Sequence, residues 1–132
     1  MSRSEYGDCD GDQWQLIKWR GAVVSALRGK RGQAFLRELR DALDALPVKR
    51  LIKNDLESGG EVCALGAVGR ARGTPMAELD PEDHETIAGT FGISNAMARE
   101  IMYLNDEYSW SCKETPEERY ERMRRWVEAW TS

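Results

Sequence analysis

The chain has 132 residues, of which 41% are hydrophobic and 32% charged, and its net charge is −4. This length suits one domain, and the five Trp, four Tyr and two Phe need a core to bury them, which excludes a disordered chain. No stretch approaches the roughly 18 consecutive apolar residues that cross a bilayer. The three cysteines are odd in number and too widely spaced for a disulfide scaffold or a zinc finger, so we expect a reducing cytoplasm.

The domain organisation is predicted to be simple. Residues 1–11 are polar and acidic, lack the features of a secretion signal, and are expected to form a flexible lead. Residues 12–132 are expected to form a single helical domain. Asp12 offers an N-cap to the first helix, which should end at Gly29. The apolar positions of this helix recur at helical spacing: Leu16, Trp19, Val23 and Leu27.

A second helix follows residues 28–32, a short basic connector that contains two glycines. This helix has the clearest 3.6-residue repeat in the chain. It should end near Pro47, because proline disfavours helical geometry in the residue before it. Its apolar stripe consists of Phe35, Leu36, Leu39, Ala42, Leu43 and Leu46.

Two segments in the middle of the chain carry weaker signals. Residues 48–58 are predicted to form a short helix because Leu51, Ile52 and Leu56 are suitably spaced. Residues 61–69 are small and apolar and are predicted to form a helix, with a short buried strand as the alternative. Glycines in such a helix each cost about 1 kcal/mol relative to alanine, so we expect a neighbouring helix to approach closely.

Capping residues indicate three further helices. Residues 80–83 supply an N-cap, a proline and acids for the first of them, and Ser94 caps the second. Thr115 begins a capping box ahead of a C-terminal helix with a seam of aromatic residues. Together with the earlier segments, these signals predict an all-α fold, a compact bundle of about six short helices.

Residues 81–105 match the helix-turn-helix template at several separate positions. Two short helices that cross steeply need a small residue at their contact and a glycine in the turn, and Ala88 and Gly92 meet these needs. Ile93 packs beneath the turn in this interpretation, and Ser94 caps the second helix. The sequence therefore predicts a helix-turn-helix-like corner.

A role in reading DNA is the runner-up hypothesis for this corner. Asn95 and Arg99 lie on the predicted outer face of the second helix, and side chains of these types read base edges. Between residues 80 and 106, however, Arg99 is the single cation in the sequence, against six acids. Such a surface repels phosphates, so we favour a corner that serves packing.

Charge is distributed unevenly along the chain. Residues 14–53 contain ten Lys or Arg and three acids, whereas the remainder contains nine and twenty. An ordinary solvated helix face, or pairing with the acidic half of the same chain, would also account for this pattern. A binding surface for an anionic partner is the sharper interpretation, and its candidate residues are Arg28, Lys30, Arg31, Arg37 and Arg40.

A second candidate surface mixes aromatic and acidic residues just beyond the predicted corner: Tyr103, Asp106, Glu107, Tyr108 and Trp110. Tyrosine and tryptophan often anchor protein interfaces. The alternative is that these aromatic side chains pack under the C-terminal helix. No periodicity decides between the two.

Signals for catalysis are weak. His84, the only histidine, lies between two acids in a helix first turn and is expected to be exposed, while Cys63 suits a buried and inert thiol. The two would form a nucleophile–base dyad if the fold joined them, which we do not favour. The sequence shows no phosphate-binding loop, dinucleotide fingerprint or spaced metal-ligand set. We predict a protein that is not an enzyme and uses no cofactor or metal.

Several stretches resemble small uncharacterised proteins of tailed bacteriophages and prophages. They are RGAVVSALRGKRGQAFLREL at residues 20–39, EVCALGAVG at residues 61–69, FGI at residues 91–93 and REIM at residues 99–102. Those proteins have no established activity, so the resemblance assigns no functional residues. It implies a phage gene that acts inside a bacterial cell.

These observations predict a non-enzymatic binding protein. The resemblance to phage proteins implies a role in modulating or inhibiting a host or phage protein complex, for example a CRISPR-type defence effector. The helix-turn-helix DNA-binding regulator is the alternative. Nucleic acid is a less favoured partner, and no membrane partner is expected.

Overall fold

The computed structural model describes residues 13–107 and 113–132, with the backbone alone for residues 13–17. Within these ranges six α-helices and one very small hairpin form a compact bundle, which confirms the predicted helical architecture. In chain order the elements are α1 (Gln13–Arg28), α2 (Lys30–Ala45), β1 (Glu57–Ser58), β2 (Glu61–Val62), α3 (Ala64–Arg72), α4 (His84–Phe91), α5 (Asn95–Asp106) and α6 (Pro116–Trp130). The predicted lead and its N-cap Asp12 lie outside the described residues.

The junction of α1 and α2 is shorter than the predicted connector of residues 28–32. Gly29 alone separates the helices, in an extended conformation with φ −68° and ψ 164°. Gly32 belongs to the first turn of α2, where a Cβ atom would lie 1.8 Å from the Ala26 carbonyl oxygen. The second glycine therefore serves the close crossing of two helices rather than the turn.

Helix α2 lies at the centre of the core and contacts α1, α3 and α6. The six apolar residues of its predicted stripe are all buried. The helix ends at Ala45, two residues before Pro47. Beyond the end, Lys49 Nζ donates hydrogen bonds to the carbonyls of Asp44 and Leu46, at 2.5 and 2.7 Å. These bonds satisfy carbonyls that a helix terminus leaves without intrahelical partners.

The predicted helix over residues 48–58 is wrong. Most of this segment is irregular, although Leu51 and Leu56 are buried. Its backbone bonds to distant residues: the Leu51 amide donates to the Pro116 carbonyl at 3.1 Å, and the Ile52 amide donates to that of Val62 at 2.9 Å. These bonds to other segments replace the local ones that a helix would make.

Residues 61–69 contain both of the predicted alternatives. Strand β2 pairs antiparallel with β1 across the Gly59-Gly60 turn, where both glycines have positive φ. Helix α3 follows, with the Cys63 thiol accepting a hydrogen bond from the Gly66 amide at 3.4 Å. A Cβ atom at Gly66 would lie 1.9 Å from the Leu56 carbonyl oxygen. The close neighbour here is thus a loop, not the helix that was expected.

Helix α4 begins at His84, later than the start predicted at Asp80. Its N-cap is Asp83, which accepts a hydrogen bond from the Thr86 amide at 3.2 Å. The Asp80 carboxylate instead accepts from the Glu82 amide at 2.9 Å, within a preceding turn. Asp80 therefore stabilises a local turn and is unavailable as a helix cap.

The predicted corner between α4 and α5 is present. Gly92 ends α4 with φ 72°, and the Ser94 hydroxyl accepts a hydrogen bond from the Met97 amide at 3.1 Å. Three residues, 92–94, connect the two helices, which pack against each other. Ala88 and Ile93 are buried beneath the turn, as expected.

The capping box of the C-terminal helix α6 is confirmed. The Thr115 hydroxyl accepts from the Glu118 amide at 3.1 Å, and the Glu118 carboxylate accepts from the Thr115 amide at 2.9 Å. The buried Tyr120 hydroxyl donates to the Leu43 carbonyl at 2.9 Å and so joins α6 to α2. The inner face of α6 also includes Met123 and Val127, with Trp126 and Trp130 partly buried.

Candidate functional site

Part of the positive charge of residues 14–53 is neutralised by acids from the rest of the chain. The Arg20 guanidinium donates to both oxygens of the buried Glu100 carboxylate, at 2.9 and 3.0 Å. Arg50 lies 3.3 Å from Glu61 and 3.5 Å from Glu117. Pairing within the chain, one of the alternatives left open by the sequence, therefore applies to these two arginines.

Two members of the predicted cationic set have neighbours of their own. The Arg28 guanidinium lies over the Trp130 ring, 5.8 Å from its centroid, which is a cation–π distance. Arg40 lies 3.7 Å from the carboxylate of the adjacent Asp41. These two residues are therefore less available to a partner than their positions in the sequence suggest.

The remaining three, Lys30, Arg31 and Arg37, are exposed on α2. In the part of the chain that the structure describes, none of them forms an ion pair or donates a side-chain hydrogen bond. We call these three residues the α2 cationic face. Lys30 and Arg31 occupy the first turn of α2, which contains no acid, and Gly29 supplies no capping side chain there. Because the helix dipole adds positive potential at this end, the surface should attract anions.

Other arginines of the bundle bind carboxylates firmly. Arg72 donates two hydrogen bonds of 2.6 Å to Glu38, and these bonds hold the pKa of that carboxyl below its usual value. Arg124 donates two to Asp44, at 2.8 and 3.1 Å, and lowers the pKa of Asp44 in the same way. The three residues of the α2 cationic face differ from these arginines, because they have no ion pair with a described residue.

The most buried charge network links α5, α6 and the irregular segment. Glu114 accepts two hydrogen bonds from Arg122, at 2.7 and 2.9 Å, and lies 3.5 Å from Arg119. The bonds from Arg122 lower the pKa of the Glu114 carboxyl, while burial lowers the pKa of the Arg119 guanidinium. Arg119 also donates to the Leu51 carbonyl at 2.9 Å. These residues stabilise the bundle.

Asn105 is a buried polar residue that the sequence analysis did not identify. It is 1% exposed, and its side-chain oxygen accepts from the Ala64 amide at 3.1 Å, while its nitrogen donates to the Ile52 carbonyl at 2.9 Å. It therefore joins α5 to α3 and to the irregular segment. A signal was present, because position 105 continues the apolar spacing of Ala98 and Ile101 along α5.

The aromatic and acidic surface is only partly described, since Tyr108 and Trp110 lie outside the described residues. Tyr103 is half-buried, and Glu107 follows the last residue of α5. The Asp106 carboxylate accepts hydrogen bonds from the Asn54 amide at 3.1 Å and the Asn105 side chain at 2.9 Å. Asp106 thus has a structural role.

The two candidate DNA-reading residues both contact other side chains of the protein. The Asn95 side-chain oxygen lies 2.5 Å from His84 Nδ1, across the corner between α4 and α5. The Arg99 guanidinium lies over the Trp19 ring, 4.1 Å from its centroid, and so connects α5 to α1. Contact with a base edge would require both side chains to leave these neighbours.

The expected exposure of His84 is wrong, because it is 9% exposed and contacts Asn95. The burial of Cys63 is as expected, and its thiol caps α3. Each side chain of the hypothetical dyad therefore has a structural contact. Within residues 13–107 and 113–132, no group of three or more His, Cys, Asp or Glu could hold a metal ion.

The fold and its surfaces define a small helical bundle with an exposed cationic face. None of the six described helices is both long and apolar enough to cross a membrane. Comparison with protein-family models, with curated proteins and with solved structures gave no match.

Proposed function

We propose that this chain is a non-enzymatic binding protein whose α2 cationic face contacts an acidic surface on a protein partner. One observation carries the proposal: Lys30, Arg31 and Arg37 are exposed and have no ion-pair partner among the described residues. Cations that contribute to folding elsewhere in the bundle are bound to carboxylates, as Arg72 and Arg124 are.

A stability argument supports the same interpretation. Acids in the first turn of a helix are favourable by about 0.3–1 kcal/mol each, and cations there are unfavourable for the same electrostatic reason. Lys30 and Arg31 occupy this turn of α2 without a capping side chain. Lys30 and Arg31 therefore lower the stability of the folded protein slightly. An acidic partner surface that neutralises them would explain why these residues are present.

We prefer a protein partner to nucleic acid because of the charge on the neighbouring corner. Residues 80–106 contain six acids and one cation, Arg99, which lies over Trp19. Of the six acids, Glu100 is buried and bound to Arg20. A nucleic acid extends its phosphates across a large surface and would meet the other acids, whereas an acidic protein patch need cover the α2 cationic face alone.

The biological setting of the proposal rests on the resemblance to small phage proteins alone. In that setting the partner is a protein complex in the cytoplasm of the bacterial host, such as a defence effector, and binding modulates or inhibits it. The partner's acidic surface should speed encounter electrostatically, since complementary charge acts on association rates more than on affinity.

Affinity capture from a phage-host lysate tests the proposal. The immobilised chain is compared with a variant in which Lys30, Arg31 and Arg37 are changed to Glu, and both samples are run with and without nuclease. Arg125→Glu is the matched control, because Arg125 is exposed on α6 and has no ion pair with a described residue. We expect the unmodified chain to capture partner proteins whether or not nuclease is added. The triple variant should no longer capture them, whereas the Arg125→Glu control should.

Two results would contradict the proposal. Capture that is unchanged in the triple variant would remove the α2 cationic face as the contact surface. Capture that disappears on nuclease treatment would replace the protein partner by nucleic acid.

A further inference from the structure

A cleft of about 340 Å³ lies beside the hairpin, away from the α2 cationic face. One side of its lining is the segment that follows α2, with Leu46, Pro47 and Val48, and another part is the Gly59-Gly60 turn. Three charged residues also line it, namely Arg50, Arg70 and Glu61. We call this the hairpin cleft.

The apolar side of the hairpin cleft includes an exposed aliphatic residue. Among the described residues, Val48 is the large hydrophobic residue that is exposed, at 60%. A single exposed apolar residue is ordinary on a protein surface. Next to Val48, however, is a concave surface that also contains two guanidinium groups, which is the composition of a ligand site.

Both arginines have N–H groups that donate to no acceptor among the described residues. Arg50 approaches Glu61 and Glu117 through Nε, and its terminal nitrogens donate to no acceptor among the described residues. Arg70 donates from one terminal nitrogen to the Gly60 carbonyl at 2.5 Å and lies 3.8 Å from Glu57. Its other terminal nitrogen and Nε likewise have no described acceptor. The cleft thus offers several unused N–H donors.

Of the three acids near these arginines, Glu61 lines the cleft, whereas Glu57 and Glu117 do not. The side chains of Glu57, Glu61 and Glu117 are 42–55% exposed, and their distances to the guanidinium groups are 3.3–3.8 Å. Exposed ion pairs of this kind contribute at most about 1 kcal/mol. A ligand carboxylate that accepts two parallel hydrogen bonds from a guanidinium fork can therefore compete with them.

We propose that the hairpin cleft binds an aliphatic carboxylate, with Arg50 and Arg70 holding its charged group and Val48 contacting its alkyl group. A water molecule occupies roughly 30 Å³, so the cleft has room for on the order of ten non-hydrogen atoms. The carboxylate belongs either to a small free acid or to an acidic side chain beside an aliphatic one in a peptide. The site is independent of the proposed function of the α2 cationic face.

The test is a heteronuclear NMR titration of the full chain with 4-methylpentanoate at constant ionic strength, following the amide signals of Gly59 and Gly60. We expect a saturable shift that the neutral analogue 4-methylpentanamide does not produce and that acetate, without the alkyl group, produces only weakly. Arg50→Gln and Arg70→Gln should each weaken binding by about tenfold or more, since each removes charge-assisted hydrogen bonds. Arg125→Gln is the matched control and should bind normally.

A second arm uses the peptide acetyl-Leu-Glu-amide, and comparison of its affinity with that of the free acid identifies the source of the carboxylate. If either arginine variant fails to fold, Val48→Asp serves instead, because position 48 is exposed and an acid there should repel the ligand. Three outcomes would overturn the proposal: no saturable shift with either probe, equal binding of the neutral amide, or equal loss in Arg125→Gln.

Discussion

Two regions of this bundle contain cationic side chains in opposite circumstances. Around Glu114, Arg119 and Arg122 are largely buried, and they donate hydrogen bonds to a carboxylate and to backbone carbonyls of other segments. On the α2 cationic face, Lys30 and Arg31 are exposed and have no ion pair with any described residue.

The difference shows that charge alone does not identify a functional residue. A buried cation requires acceptors, because an unpaired buried charge is very costly, and such a cation therefore contributes to folding. An exposed cation has no such requirement and remains available to a partner. Burial and the supply of acceptors separate the two roles, and both depend on the fold. The three predictions that follow test this comparison, in order of decreasing effect.

The largest effect should come from Asn105, a buried polar residue outside the Glu114 network that likewise bonds to the backbone of other segments. Asn105→Leu leaves the Ala64 amide and the Ile52 carbonyl without their side-chain partner, and each unsatisfied buried group costs about 1–3 kcal/mol. We expect a loss of about 2–6 kcal/mol in the free energy of unfolding, measured by urea denaturation. Arg37→Leu is the control on the α2 cationic face and should change stability by no more than about 0.5 kcal/mol. Similar losses in both variants would show that burial does not separate structural polar residues from those of the α2 cationic face.

The separation of contacting residues along the chain determines how much of this fold the sequence could reveal. The α2 stripe and the Thr115 capping box depend on neighbours within one or two turns, and both were predicted correctly. Residues 48–58 were predicted as a helix, because Leu51, Ile52 and Leu56 have a helical spacing. The backbone of this segment instead bonds to Pro116 and Val62, which lie in other elements or their flanks and beyond the reach of a helical turn. No local pattern reports such partners.

The same limit applies to the candidate binding residues. Five cations around the α1–α2 junction could be identified from the sequence, but their availability could not. The structure places Arg28 on Trp130, a residue about 100 positions away in the chain, and brings Arg40 beside Asp41. The shift of Lys30 and Arg31 from a predicted connector into α2 likewise depends on the crossing at Gly32. Each of these differences from the sequence-based expectation results from tertiary packing.

A smaller effect should appear in the pH dependence of stability. The pKa of Glu114 is lower in the folded protein than in the unfolded chain, so the unfolded state binds more protons as the pH falls. The stabilisation is therefore fully present above the ordinary pKa of about 4.5 and is lost as the pH drops through the folded value. At pH 7, Glu114→Gln should lower the free energy of unfolding by about 1–3 kcal/mol, because it weakens hydrogen bonds to a charged group.

Urea denaturation between pH 7 and pH 3 measures this effect. The difference in stability between Glu114→Gln and the unmodified chain should shrink as the pH falls, because the proton that Glu114 takes up favours the unfolded chain. Glu121→Gln is a suitable control, because Glu121 is exposed on α6 and has no ion pair with a described residue. A constant difference between Glu114→Gln and the unmodified chain across the pH range would contradict the assigned role.

The smallest expected effect is a gain in stability, and it concerns the α2 cationic face itself. Lys30→Glu and Arg31→Glu place acids in the first turn of α2, where the helix dipole favours them by about 0.3–1 kcal/mol each. The double variant should therefore melt at a slightly higher temperature than the unmodified chain, and the difference should shrink at high salt as the charges are screened. If these cations instead stabilise the fold through acids elsewhere in the chain, the variant should melt at a lower temperature at low salt. A gain in stability combined with loss of the captured partner would mean that the native residues are retained for binding, at a small cost to folding.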